Sequence, residues 1–89
     1  MNQFDIQLKI IRKLMQMSPP KWGRSHTQEI NLKKSFPKHV RGSKLMEKAI
    51  KDLYENQFLL KSKKTGEWHV SLNPRKKKEI MKFLKLGDS

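Results

Sequence analysis

The chain has 89 residues, of which 35% are apolar, and this is enough for one domain with a single modest core. Its 21 Lys and Arg residues outnumber 8 Asp and Glu residues, so the formal net charge is +13 and a polyanionic partner is favoured. The sequence has no cysteine, which excludes disulfide bonds, thiol catalysis and cysteine-based zinc sites, and it has no apolar run of membrane-spanning length. We expect a single cytoplasmic domain over residues 1–89, with its core in residues 4–86 and no membrane partner.

The first predicted element is an amphipathic helix over residues 4–17, in the stretch "FDIQLKIIRKLMQM". The apolar residues that recur there at helical spacing are Phe4, Leu8, Ile11 and Met15, and others widen the stripe on one side. A buried face this broad is typical of a central helix around which other elements pack. Pro19 biases Ser18 away from helical angles, so the helix is expected to end there.

The stretch "SHTQEINLKKSF", residues 25–36, predicts a short second helix. Its N-cap is either Ser25, which would form a capping box with Gln28, or Thr27. Ile30 and Leu32 are then expected to face the core.

A longer third helix is predicted over residues 43–56, after the connection "PKHVRG". Ser43 is the expected N-cap, and Asn56 tolerates the left-handed conformation that often ends a helix. The apolar stripe of this helix comprises Leu45, Met46, Ala49, Ile50, Leu53 and Tyr54.

A β-hairpin is predicted next, because "FLLKSKK" and "EWHVSL" flank Thr65-Gly66 and the glycine suits a tight turn. In the second strand the apolar residues alternate with polar ones, so we expect Trp68 to pack in the core. Asn73 and Pro74 then form a start signal for a last helix, and residues 87–89 are expected to be a short tail.

The order helix, helix, helix, β-hairpin, helix resembles a winged-helix domain, a mainly α fold with a small β-hairpin (α+β). Its most specific stretch is "GSKLMEKAIKDLYENQFLLKSKKTGEWHVSLNP", which is similar to small stand-alone basic transcription regulators of archaea and other prokaryotes. Gln57 stands where that family commonly has glycine. We therefore expect Asn56 to take the strained backbone angle instead.

The resemblance implies a non-enzymatic, transcription-regulator-like protein that binds double-stranded DNA with its third helix in the major groove and its hairpin on phosphate or in the adjacent minor groove. The residues it implicates around the third helix are His39, Arg41, Lys44, Lys48 and Lys51, and those in the hairpin are Lys61, Lys63 and Lys64. The spacing of residues 44, 48 and 51 independently puts them on one helix face. The alternative is a solvated surface, in which Glu47 pairs with Lys51 and Lys48 with Asp52.

Four successive cations, Arg75, Lys76, Lys77 and Lys78, fall in the first turn of the last predicted helix. Cations at that end oppose the helix dipole, by about 0.3–1 kcal/mol each when exposed, and Glu79 offsets this only in part. The cluster therefore predicts a phosphate-binding site.

Trp22 lies in a Pro- and Gly-containing loop and is expected to anchor packing, with Lys21 and Arg24 beside it as candidate contacts to a nucleic-acid backbone. The three histidines, His26, His39 and His69, are far apart in the sequence and lack a metal-binding spacing, so we expect no metal site and no cofactor. The acids show no paired arrangement and no glycine-rich phosphate loop is present, so we expect no enzyme activity.

The alternative function is a protein-interaction or RNA-binding scaffold module with the same fold. The last helix carries the apolar residues Ile80, Met81, Phe83, Leu84 and Leu86, more than one edge of a small domain needs. An exposed apolar stripe there would mark an interface with another protein or a homodimer, so homodimerisation stays open.

Overall fold

The computed structural model describes residues 1–88 and has four α-helices and one three-stranded antiparallel sheet. In chain order the elements are α1 (Gln3–Gln16), β1 (Thr27–Gln28), a 3-10 turn (Glu29–Leu32), α2 (Lys38–Arg41), α3 (Lys44–Glu55), β2 (Leu59–Lys64), β3 (Glu67–Leu72), a second 3-10 turn (Pro74–Lys76) and α4 (Lys77–Asp88). The expected mixture of helices with a small antiparallel sheet is confirmed.

The helix α1 is the centre of the core, as its broad apolar face predicts. It packs against α3, α4 and β3, and its fully buried side chains are Ile6, Ile10, Ile11 and Leu14. Asn2 caps it, because the Asn2 side chain accepts a hydrogen bond from the backbone N–H of Asp5 at 2.8 Å. From α1, Gln7 donates to the backbone carbonyl of Ala49 in α3 at 3.1 Å, which fixes the two helices together.

The prediction of a helix over residues 25–36 is wrong. Thr27 and Gln28 are extended and pair with Val70 and His69 of β3, so the segment adds a third strand to the hairpin. The free edge of β3 offers backbone hydrogen-bond partners that outweigh the local helical pattern of a short segment. The 3-10 turn that follows buries Leu32 but leaves Ile30 61% exposed.

The chain reaches α3 through a helical turn that the sequence pattern missed, α2, followed by Gly42 and Ser43. Ser43 is the N-cap of α3 as predicted, and its Oγ accepts from the N–H of Met46 at 3.1 Å. The same hydroxyl donates to the carbonyl of Val40 in α2 at 2.7 Å, so one side chain fixes the angle between the two helices.

The end of α3 differs from the prediction. Asn56 keeps a right-handed conformation with φ −78°, whereas Gln57 itself adopts φ +63°. The left-handed residue is therefore the one at the position where the resemblance places glycine, and a side chain there is strained.

The hairpin turns through Thr65 and Gly66, with φ +49° and +81°. Two successive positive φ angles match the type I′ turn that two-residue hairpins favour. The face of the hairpin that carries Val70 and Leu72 is buried at its base, but the tip extends beyond the core. Trp68, on this same face, is 46% exposed, so the prediction that it packs in the core is wrong.

The last helical segment begins as predicted. The Asn73 side chain accepts from the N–H of Arg75 at 3.1 Å, and Pro74 opens the 3-10 turn that leads into α4. The helix runs on to Asp88, so the predicted tail is helical through that residue. Ser89 lies outside the described residues.

Candidate nucleic-acid interface

The outer face of α3 carries both signs of charge. Its shallow depression is lined by Lys44, Glu47, Lys48, Lys51, Asp52 and Glu55. The ion pair that forms there joins Lys51 Nζ and Glu55 Oε1 at 3.9 Å, rather than either predicted pair. Asp52 instead accepts a hydrogen bond from Gln3 of α1 at 2.5 Å. The three lysines share one exposed face as expected, but three carboxylates balance them.

The residues expected at the entry to α3 have different surroundings. His39 is exposed on α2. Arg41 is exposed too, but its guanidinium donates to the carbonyl oxygens of Phe36 at 2.7 Å and Lys34 at 3.0 Å. Arg41 therefore stabilises the turn before α2, and only its remaining donors face solvent.

The hairpin meets α3 at Lys61. The ammonium of Lys61 lies 5.1 Å from the ring centre of Tyr54 in α3, 4.5 Å from that of Trp68 in β3 and 3.6 Å from Glu29 Oε2. Lys63 lies 5.4 Å from the Trp68 ring, and Lys63 is exposed. The third helix and the hairpin thus share one surface instead of pointing away from each other.

Tyr54 lies on that surface where the third helix meets the hairpin. Its hydroxyl donates to Glu29 at 2.5 Å, and partial burial together with this carboxylate raises the pKa of Tyr54 far above its ordinary value. Tyr54 therefore stays a neutral donor, and its ring borders both the α3 side of the hairpin and a second groove on the other side.

This second groove, of about 890 Å³, is lined by Arg24, Arg75 and Lys76 among other residues, and we call it the basic groove. Within residues 1–88, no Asp or Glu side chain lines it. Arg75 and Lys76, at the start of the last helical segment, therefore contribute to a positive concave surface, and Arg24 joins them. Lys77 lies beside it, 5.8 Å from the ring centre of Trp22, which is itself half-buried against the core.

On the outer face of the sheet His26 and His69 are in direct contact, with their Nδ1 atoms 2.9 Å apart, although their positions in the sequence are distant. One ring must accept the proton that the other donates, so the contact requires at least one neutral imidazole. Partial burial, then the charges of Lys64, His69 and Lys21, lower the pKa of His26. Lys64 of the hairpin tip and Lys21 of the loop that leads to Arg24 therefore lie around this histidine pair.

Few of the predicted interface residues have acidic partners. Within residues 1–88, the ion pairs are Arg12–Asp88, Lys51–Glu55 and Lys61–Glu29. The cations of the predicted interface that take no part in them include Lys63, Lys64, Arg75, Lys76, Lys77 and Lys78. These six cations lie at the hairpin tip and at the start of α4, where Glu67 and Glu79 are the acids beside them in the sequence.

Most of the apolar stripe of α4 belongs to the core. Ile80 and Leu84 are buried, and Phe83 stacks edge-on against Phe4 and Phe58. The exposed members are Met81 at 39% and Leu86 at 66%. Five residues apart, these two lie about 140° from each other around the helix, so they do not form one apolar face for a second copy.

Two further cations contribute to this surface, and sequence reasoning missed one of them. Lys33 lines the depressions on both sides of Glu29, next to the hairpin, and nothing in the sequence pattern distinguishes it. Arg24 was noted beside Trp22, but only the folded chain brings it to Arg75. Because both lie in irregular segments, no periodicity could have assigned them to a face.

Within residues 1–88, no group of three or more His, Asp or Glu side chains lies close enough together to hold a metal ion. In the same part of the chain, the longest helices are too short and too polar to cross a bilayer. A scan against protein-family models and searches of curated proteins and of solved structures found no match to this chain.

Proposed function

We propose that this chain is a non-enzymatic winged-helix protein of the cytoplasm that binds double-stranded DNA and acts as a transcription regulator does. The order of α1, α2, α3, the β2–β3 hairpin and α4 supports this proposal. The single helical turn α2 precedes α3 across Gly42 and Ser43, an order compatible with a helix-turn-helix, whose second helix enters the major groove in proteins that use this motif.

The observation that carries the proposal is the excess of cations without an ion pair, within residues 1–88, at the hairpin tip and in the basic groove. Arg75, Lys76 and Lys77 lie at the start of a helical segment, where the dipole opposes them, and they take no part in the ion pairs within residues 1–88. A phosphate placed there would remove the repulsion and release condensed counterions.

The proposal assigns different roles to the two parts of the surface. The hairpin and the basic groove neutralise phosphates, and α3 sets the register in the major groove through Lys44 and Lys48. Lysine is a poorer reader of base edges than arginine, and Arg41 is engaged with backbone carbonyls. We therefore expect modest sequence specificity.

The test is a titration of the chain against duplex DNA over a range of salt concentrations. If about six phosphates are engaged, the logarithm of the association constant falls with the logarithm of salt at a slope of about −5. Charge reversal at Lys63 and Lys64 tests the hairpin, and the same change at Lys48 and Lys51 tests α3. Absence of salt-dependent binding at high micromolar protein would remove the proposal.

An RNA-binding or protein-interaction module with the same fold is the second candidate. The mixed charge of the α3 outer face favours it, because a face with three carboxylates is poorly suited to a groove lined with phosphates. Competition between structured RNA and duplex DNA at matched salt distinguishes the two nucleic-acid partners, because an RNA-binding module prefers the A-form helix of the structured RNA. Sedimentation of the free chain shows whether it forms a dimer.

A further inference from the structure

The most unusual exposed side chain is Trp68, near the tip of β3. It points to the sheet face that is buried at the base of the hairpin, yet 46% of it is exposed. Leaving half of a large aromatic side chain in water forgoes part of the stabilisation that its burial would give. The indole of Trp68 therefore does not serve mainly to fill the core.

Cations lie on the β2 side of this indole. Lys61 and Lys63 place their ammonium groups 4.5 and 5.4 Å from the ring centre. Both distances are within the range of a cation–π attraction, so the lysines and the ring hold one another in place. A ring held in this way can stack on a flat partner, and the ammonium groups can contact a phosphate attached to that partner.

A groove of about 410 Å³ lies on the other side of Trp68. Because β3 is the central strand, this side belongs to β1 and the 3-10 turn after it. The groove is lined by Trp68, Ile30, Lys33, Gln28, Glu29 and Glu67. Ile30, which is 61% exposed, gives the groove an apolar wall.

The two sides of the indole differ in charge. Glu29 and Glu67 line the groove together with Lys33, so carboxylates outnumber cations there. Glu29 accepts a hydrogen bond from Tyr54 and lies 3.6 Å from Lys61 Nζ, and Glu67 accepts a hydrogen bond from Gln28. A carboxylate has lone pairs beyond that one bond, which suit the exocyclic amine of a base. The groove is therefore suited to the flat, polar-edged part of a nucleotide, and the lysine side to its phosphate.

We propose that Trp68 is a stacking platform for an unpaired nucleobase, whose base enters the groove beside Ile30 while its phosphate contacts Lys61 and Lys63. The proposal rests on the proposed nucleic-acid function and deepens it: the protein binds a duplex that ends in, or is interrupted by, a single-stranded segment more tightly than a continuous duplex. An unpaired base is required because only an unstacked base presents its face to an aromatic side chain.

The chain has two tryptophans, so the variant Trp22→Phe leaves Trp68 as the sole indole reporter. This variant is titrated with a blunt duplex, with the same duplex carrying a single-stranded tail, and with that tail made abasic. DNA and RNA tails form separate arms. We expect quenching of Trp68 fluorescence and about ten- to hundredfold tighter binding with the intact tail than with the abasic tail.

Substitution separates stacking from charge. In the same background Trp68→Leu is expected to lose the advantage of the intact tail, and Trp68→Phe is expected to keep part of it. Both variants should fold, because Trp68 is half-exposed and its replacement leaves the core in place. The stacking proposal is overturned if the abasic tail binds as tightly as the intact tail, or if Trp68→Leu keeps the full advantage, as a protein-docking role for the patch would allow. If the blunt duplex binds and the tail adds nothing, this proposal alone fails. If tailed DNA or RNA binds and the blunt duplex does not, the duplex function fails instead.

Discussion

The basic groove allows a test in which DNA binding and protein stability change in opposite directions. The double variant Arg75→Gln, Lys76→Gln removes two cations that line the groove and lie in the 3-10 turn before α4. If each cation contacts one phosphate, the salt slope becomes shallower by about 1.8, because each lost phosphate contact removes about 0.9 from it.

The same variant is expected to unfold less easily. Each of the two cations opposes the helix dipole by about 0.3–1 kcal/mol, so their removal raises the free energy of unfolding by roughly 1 kcal/mol in total. Denaturant unfolding followed by tryptophan fluorescence measures this change. Gln keeps the first two methylenes of the half-buried Lys76 side chain, which limits the loss of packing.

The matched control is Lys82→Gln, Lys85→Gln, which removes the same charge from exposed positions further along α4. Lys85 lies in the last turn, where the dipole favours a cation, so this control is expected to leave stability unchanged or slightly lower. It is expected to alter the salt slope less than the groove variant does. Equal slopes for the two variants, or a groove variant that binds DNA as the parent does, would refute the assignment of phosphates to the basic groove.

Three further predictions concern the fold itself. Gln57→Gly is expected to raise the free energy of unfolding by about 0.5–1 kcal/mol in a denaturant titration, because it relieves the positive φ at this position; an unchanged midpoint would contradict the strain argument. Gly87→Ala is expected to lower the melting temperature, since the added Cβ would lie within 3.2 Å of three side-chain carbons of buried Leu8; a Leu8→Ala background serves as its control and should reduce the effect. The lowered pKa of His26 means that the unfolded chain binds more protons than the folded chain below about pH 6.5. The contribution of His26 to the free energy of unfolding is therefore fully present above that pH and falls on acidification. A His26→Gln variant should lose this pH-dependent contribution when melting temperatures are compared between about pH 7.5 and about pH 5.

The sequence predicted best where a local signal agreed with its tertiary surroundings. Ser43 and Asn73 are N-caps in the structure, as their positions before apolar helical patterns predict. The turn at Thr65 and Gly66 likewise follows from two residues between alternating strands. In each case a short-range hydrogen bond or a backbone preference decides the conformation, and it acts over a few neighbouring residues.

Two of the predictions that failed, the helix over residues 25–36 and the burial of Trp68, concern residues whose environment depends on distant partners. Residues 25–36 have a helical pattern too short to be stable alone, and the free edge of β3, about forty positions away, turns Thr27 and Gln28 into a strand. Trp68 has the alternation of a core residue, but alternation assigns a face and not the distance at which the core ends.

The amino-acid sequence by itself determined the excess of positive charge, the order of the main helices and the hairpin, and the stripes that form the core, because these depend on composition and on spacing along the chain. Only the tertiary structure decided how the charges are distributed. It brought Arg24 to Arg75 and Lys76 in a groove lined by no carboxylate within residues 1–88, and it left an indole between two lysines and a groove lined by Ile30, Lys33 and two carboxylates. The physical reason is that electrostatic and stacking interactions depend on distance in space, which folding sets and which the linear order of residues does not contain.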